Sequence, residues 1–310
     1  MNNTTPPTKP PVPKYRSPQE ASRIFLLPNL FTAGNMLCGF LSIYSCILAK
    51  FATSDPSDSN RLYQHAVYYI LAACICDLFD GRVARVARRE SLFGAEFDSL
   101  ADIVSFGLAP ALMLCFLVLD PSKSADLGWV ANIGKNFAWL FAFIYLLCVG
   151  VRLARFNVLT NPLVPGNENR SSKNEFVGLP CPIAAGMIAS LVLLLTSADI
   201  SPQNLRHIST LFLPISLLIS YLMVSNISYP SFKHINWNTR LKIQIFILIF
   251  LFIIFSIRYL EYSIPCIFLS FIINGIFYSI RKKSLLLKNS TNESILGNPL
   301  KKENDEQDDN

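Results

Sequence analysis

Apolar runs close to membrane-crossing length recur along this chain, at about 29–49, 62–83, 97–119, 137–151, 182–196, 209–224, 243–257 and 263–280. A helix needs roughly 20 apolar residues to cross the hydrocarbon of a bilayer, and only helices and closed barrels satisfy every backbone N–H and C=O there. None of the runs shows the sustained alternation of a barrel strand, so they are read as helices. Composition points the same way: 52% of the 310 residues are hydrophobic and 15% are charged, whereas about a quarter of a soluble domain is charged. The sequence therefore predicts an all-α integral membrane protein, a bundle of about eight transmembrane helices.

The flanks divide the chain. Residues 1–22 are polar and rich in proline, without the apolar core and cleavage site of a signal peptide, and are expected to form a disordered cytosolic arm. The membrane domain is expected over 23–283, followed by a hydrophilic, disordered cytosolic tail over 284–310. The net charge of +6 is no sign of a nucleic-acid partner, because Lys and Arg sit in short loops beside the apolar runs instead of forming a binding stripe. They concentrate after the even-numbered runs (Arg82, Arg85, Arg88, Arg89; Arg152, Arg155; Lys233, Arg240, Lys242; Arg281, Lys282, Lys283) and in the N-terminal arm. By the positive-inside rule both ends of the chain are then cytosolic. The eight cysteines lie almost wholly in apolar runs without metal or disulfide spacing, and read as small packing residues.

Against this apolar background one stretch carries four aspartates: Asp77, Asp80, Gly81, Ala84, Arg85, then Gly94, Asp98 and Asp102, in the pattern D-x2-D-G-x2-A-R-x8-G-x3-D-x3-D. Acids at a membrane helix end need a compensating partner. Spacings of three and four put Asp77 with Asp80, and Asp98 with Asp102, on one face of each of two successive helices. If a short turn around Gly94 lays those helices antiparallel, the two pairs face one another. Four converging carboxylates cannot all ionise unless a multivalent cation neutralises them. Hard oxygen ligands of this kind select Mg²⁺ or Mn²⁺, and two bridged ions are the arrangement that supports in-line displacement at phosphorus. Gly81 and Ala84 leave room for a bulky ligand, and the planar fork of Arg85 suits phosphate oxygens. A single acidic pair followed by arginines is equally the pattern of a salt-bridged helix end; two pairs with the intervening glycines favour a shared ligand.

At these residues the sequence resembles the CDP-alcohol phosphatidyltransferases, whose signature is the pattern above with every fixed position present. The resemblance implies an enzyme of phospholipid biosynthesis that displaces CMP from a CDP-linked lipid by the hydroxyl of a second substrate. It implies that Asp77, Asp80, Asp98 and Asp102 bind two divalent ions (Mg²⁺ or Mn²⁺), that Asp102 is also the general base, and that Gly81, Arg85 and Ser91 contact the CDP-lipid. Within the family, the stretches 27–39, 105–110, 152–157, 176–185 and 223–233 are similar to the bacterial integral-membrane branch that makes phosphatidylserine. That likeness implies CDP-diacylglycerol and L-serine as substrates, a bacterial inner membrane with the site at its cytosolic face, and, by analogy alone, a homodimer.

A serine carboxylate calls for a cation. Arg152 and Arg155, at the end of the fourth run, are the candidates, and they also read as simple topology determinants. Along the first run Asn29, Thr32, Asn35 and Gly39 recur every three or four residues, either as small-residue helix packing or as a polar face turned to a ligand. Asn226, Tyr229 and Lys233 read as an interfacial belt with a basic anchor. Other acceptors, namely glycerol 3-phosphate, inositol phosphate or choline, are the alternatives within the family. A divalent-ion channel or transporter is the competing class, and would need its acids near the bilayer midplane.

Overall fold

The computed structural model describes residues 26–51, 55–87, 92–118, 128–160, 175–197, 202–230 and 258–295. Among these are seven helical rods and one short strand pair. Helix α1 spans Leu26–Phe51, α2 Pro56–Ala87 and α4 Gly128–Thr160. Between the last two, α3 is a composite rod: α-helical over Leu92–Asp102, π-helical over Ile103–Leu108, α-helical over Ala109–Met113 and π-helical again over Leu114–Val118. Helices α5, α6 and α7 cover Cys181–Ser197, Pro202–Val224 and Leu260–Ile295. Strands β1, Glu175–Val177, and β2, Ser228–Pro230, pair antiparallel with Phe176 opposite Tyr229.

The chain is thus an all-α, multi-pass membrane bundle, and among the described residues five helices are long and apolar enough to cross a bilayer. The expected run at 243–257 lies outside the described residues, as do both chain ends. The strand pair is a departure from the purely helical expectation. It joins two stretches read separately from the sequence, 176–185 and 223–233, and Gly178 closes it with a φ of 83°, a conformation that glycine adopts without strain. There the Gly178 and Leu179 amides donate to the Ile227 and Leu222 carbonyls.

Helix ends also differ from the apolar runs, for one reason. Hydropathy marks the hydrocarbon, whereas capping groups and helix breakers decide where hydrogen bonding stops. Helix α2 starts at Pro56 instead of 62 because Asp55 caps it: its Oδ1 accepts from the Ser57 amide and hydroxyl at 2.9 and 2.7 Å. Those two donors hold the exposed Asp55 carboxyl below its ordinary pKa. Helix α4 runs past 151 to Thr160, through good helix formers and up to the vicinity of Pro162. Helix α7 continues past 283 to Ile295, short of Gly297 and Pro299, so the segment expected as tail begins as helix. Gly94 likewise sits inside the first turns of α3 and not in a turn.

The packing is that of a protein dissolved in lipid. On α1 the residues Thr32, Asn35, Ser42 and Ser45 are buried while Leu30, Leu37, Phe40, Tyr44 and Ile47 face outward. Large apolar side chains standing outside on such a stripe need hydrocarbon for a solvent. Side-chain bonds fix the relative direction of neighbouring helices. Ser42 Oγ donates to the Ala66 carbonyl and Ser59 Oγ to the Ala49 carbonyl, which sets α1 antiparallel to α2. Gln64 Nε2 donates to the Thr196 carbonyl and Cys74 Sγ to the Pro182 carbonyl, which does the same for α2 and α5. One end of the bundle therefore gathers the start of α1, the end of α2, the start of α3, the end of α4 and the start of α5.

Candidate active site

That end holds the aspartates. Asp77, Asp98 and Asp102 each bring a carboxylate oxygen within 4.8 Å of the others, from two different helices. Asp80 and Asp102 are only 8% exposed. Asp80 lies within hydrogen-bonding reach of Asp98 and accepts from the Thr32 hydroxyl of α1. Asp102 accepts from Asn35 Nδ2, also of α1, at 3.0 Å. Carboxylates this close repel unless a proton or a cation lies between them. Asp98 Oδ1 is buried with no hydrogen-bond donor, and an acceptor left so in an acidic cluster suits a cation. The donor set is oxygen throughout, the chemistry of a hard divalent ion such as Mg²⁺ or Mn²⁺.

Local structure explains why α3 can present its acids here. An α-helical Phe106 carbonyl would take a hydrogen from residue 110, but Pro110 has none. The rod passes into a π-helical stretch directly after Asp102, a distortion frequent at functional sites. The freed carbonyl is taken by the buried Tyr145 hydroxyl of α4. On the opposite side Ser105 Oγ donates to the Asn35 carbonyl at 2.8 Å, and a Cβ on Gly39 would stand 2.7 Å from Ser105 Cα. Glycine at 39 is what allows α1 and α3 to touch.

The two candidate arginines part company. Arg152 is half-buried, its Nη1 donates to Cys181 Sγ at 3.3 Å, and its Nε is buried without a partner. Its charge bears on both Asp77 and Asp102. Arg155 is exposed and turned to the end of α6, donating from Nη2 to Asn226 Oδ1 at 2.7 Å and from Nη1 to the Val224 carbonyl at 3.4 Å. That is the position of a cation capping a helix C-terminus. Gly81 and Arg85 lie on α2 just past the acids, but their surroundings are outside the described residues, as is Ser91 altogether. The contacts that sequence reasoning missed are those of Thr32, Asn35 and Cys181. The stripe carrying Thr32 and Asn35 was visible as a periodicity; its partners were not.

A family model described as CDP-alcohol phosphatidyltransferase matches residues 25–225. The chain belongs to the CDP-alcohol phosphatidyltransferase family. The match takes in α1 to α6, so every helix that contributes to the aspartate cluster lies inside the family domain, and the chain is a phosphatidyltransferase. Among curated members of the family it is 36% identical over 241 residues to a CDP-diacylglycerol--serine O-phosphatidyltransferase of Helicobacter pylori, covering 77% of this chain and 84% of the relative. It is 31% identical over 207 residues to the protein of the same name in Bacillus subtilis, covering 67% of this chain and 91% of that one. A third such relative, from Saccharomyces cerevisiae, is 32% identical over 195 residues, 61% of this chain and 63% of its own length.

Proposed function

We propose that this phosphatidyltransferase uses L-serine as its acceptor, transferring the phosphatidyl group of CDP-diacylglycerol to the serine hydroxyl with release of CMP. The observation that carries the reading is the meeting of carboxylate oxygens from Asp77, Asp98 and Asp102 within 4.8 Å, beside the unpaired Nε of Arg152. The relatives named above supply the acceptor.

In this reading Asp77, Asp80, Asp98 and Asp102 would hold two divalent ions, Mg²⁺ or Mn²⁺. When bound, such ions supply charge neutralisation on the diphosphate and on the departing CMP. Asp102 takes the proton of the serine hydroxyl as that oxygen forms its bond to the phosphorus bearing diacylglycerol and the bond from that phosphorus to the CMP oxygen breaks. Arg152 pairs with the serine carboxylate, its Nη1 anchored on Cys181, and so aims the hydroxyl at Asp102. Gly81, Arg85 and Ser91 contact the CDP-lipid. Arg155 serves this site only by fixing the ends of α4 and α6.

The same reading sets the protein in a bacterial inner membrane as about eight spans, with the acidic end and both termini at the cytosolic face. There a water-soluble amino acid and a lipid-borne nucleotide can meet. The test is direct. Purified protein with CDP-diacylglycerol and Mn²⁺ is offered L-serine, glycerol 3-phosphate, inositol phosphate and choline in parallel, and CMP release is measured. Serine is expected to be used in clear preference; equal use of all four, or preference for another, removes the acceptor assignment.

A further inference from the structure

The two halves of the acidic motif are each gripped by a side chain from a helix outside the motif. Thr32 donates its hydroxyl to Asp80 and Asn35 donates Nδ2 to Asp102. The Asn35 amide has a peculiarity. It is fully buried, and while Nδ2 is used, Oδ1 has no partner. A buried acceptor without a donor is costly, so the amide is poorly explained as a contribution to folding. Turning it over would not help, because Oδ1 would then meet a carboxylate oxygen that is also an acceptor. With Asp102 ionised, as a cation-bound cluster requires, only one orientation is open to Asn35, and in it Nδ2 holds Asp102 Oδ1 and not Oδ2. The backbone beneath is fixed as well, by the Ser105 hydroxyl on the Asn35 carbonyl and by the close approach of Gly39 to Ser105.

We infer that Asn35 is a positioning residue of the metal centre: by donating to one oxygen of Asp102 it orients the other for cation binding, so that α1 controls the affinity of a site whose ligands all lie on α2 and α3. Groups that orient a metal ligand commonly govern affinity or activity by about 10- to 100-fold. The inference rests on the metal reading of the preceding section and not on the identity of the acceptor.

The experiment measures Mn²⁺ binding to the purified full-length protein without substrates, by the loss of the free-ion electron paramagnetic resonance signal. The Mn²⁺-induced rise in Tm is measured in parallel. The variants are Asn35→Ala and the similarly shaped Asn35→Leu, which keeps the volume filled. The control is Ser42→Ala, which removes a bond from the same helix to the Ala66 carbonyl, away from the acids. Both Asn35 variants are expected to bind Mn²⁺ about 10- to 100-fold more weakly and to lose most of the Mn²⁺-induced Tm shift, while Ser42→Ala keeps both. If Asn35 only packs, its variants lower Tm equally with and without Mn²⁺ and bind the ion as the wild type does, and that result overturns the inference. A wild type that binds no Mn²⁺ overturns the metal reading itself, whatever the variants do.

Discussion

Tyr145 on α4 donates its hydroxyl hydrogen to the Phe106 carbonyl on α3 at 2.8 Å, four residues beyond Asp102 and at the point where Pro110 withholds an amide hydrogen. The bond joins two helices that come together again at the site end, where Ser99 and Asn157 meet at 3.0 Å. It also closes the backbone defect that follows the acidic face of α3.

Tyr145→Phe keeps the ring and removes the only polar atom of a fully buried side chain, leaving a buried carbonyl to lose its donor. A loss of about 1–3 kcal/mol is expected, read as a lower Tm in detergent with the CDP-lipid KM unchanged. A variant as stable as the wild type would show that the π-helical stretch satisfies that carbonyl by itself.

The sequence showed the membrane class, the helices among the described residues and the four acids, because hydrocarbon selects apolar runs of fixed length and because carboxylates within them are costly enough to stand out. It could not show what the acids lean on. The stripe of Asn29, Thr32, Asn35 and Gly39 is compatible with packing or with a ligand face, and only the register of α1 against α2 and α3 reveals that Thr32 and Asn35 meet Asp80 and Asp102. Arg152 and Arg155, three residues apart in one basic run, were likewise indistinguishable until Cys181 and Asn226 were seen beside them. The strand pair was invisible for a different reason: three-residue strands carry too little periodicity to read.

Gly39 sets the distance between α1 and α3. In Gly39→Ala the new methyl group would stand 2.7 Å from Ser105 Cα, and since that atom is backbone the helices must separate. Overpacking of this kind costs about 1–3 kcal/mol, and separation also draws Asn35 away from Asp102. The variant should therefore lose both Tm and kcat, whereas Ser105→Ala, which relieves only a hydroxyl, should lose less of each. Normal turnover in Gly39→Ala would mean that the contact is not needed to hold the acids in place.

The arginines can be separated kinetically. Arg152→Ala should raise KM for serine by about 10- to 100-fold, the worth of a lost charge-assisted hydrogen bond, with little change in KM for CDP-diacylglycerol. Arg152→Lys keeps the charge without the planar fork and should fall between. Arg155→Ala should leave KM for serine alone and act on stability, since its partners are Asn226 and the end of α6. Equal effects of the two substitutions on KM would refute the division of roles.

The sharpest test of the chemistry is Asp102→Asn. The substitution preserves shape, and the new side chain still offers a carbonyl oxygen to Asn35 Nδ2, so the contact that fixes α1 against α3 survives. What is lost is a negative ligand of the cluster and the group assigned to take the serine proton. Removal of a general base alone slows a reaction by about 10²- to 10⁴-fold, and loss of a metal ligand adds to that. Turnover measured as CMP release should fall to background, while equilibrium binding of CDP-diacylglycerol, whose proposed contacts lie on and just past α2, should be largely retained. Because Asp77, Asp80 and Asp98 remain, excess Mn²⁺ should restore ion occupancy but not the rate. Wild-type turnover in this variant would show that the proton leaves by another route and would take the role of base away from Asp102.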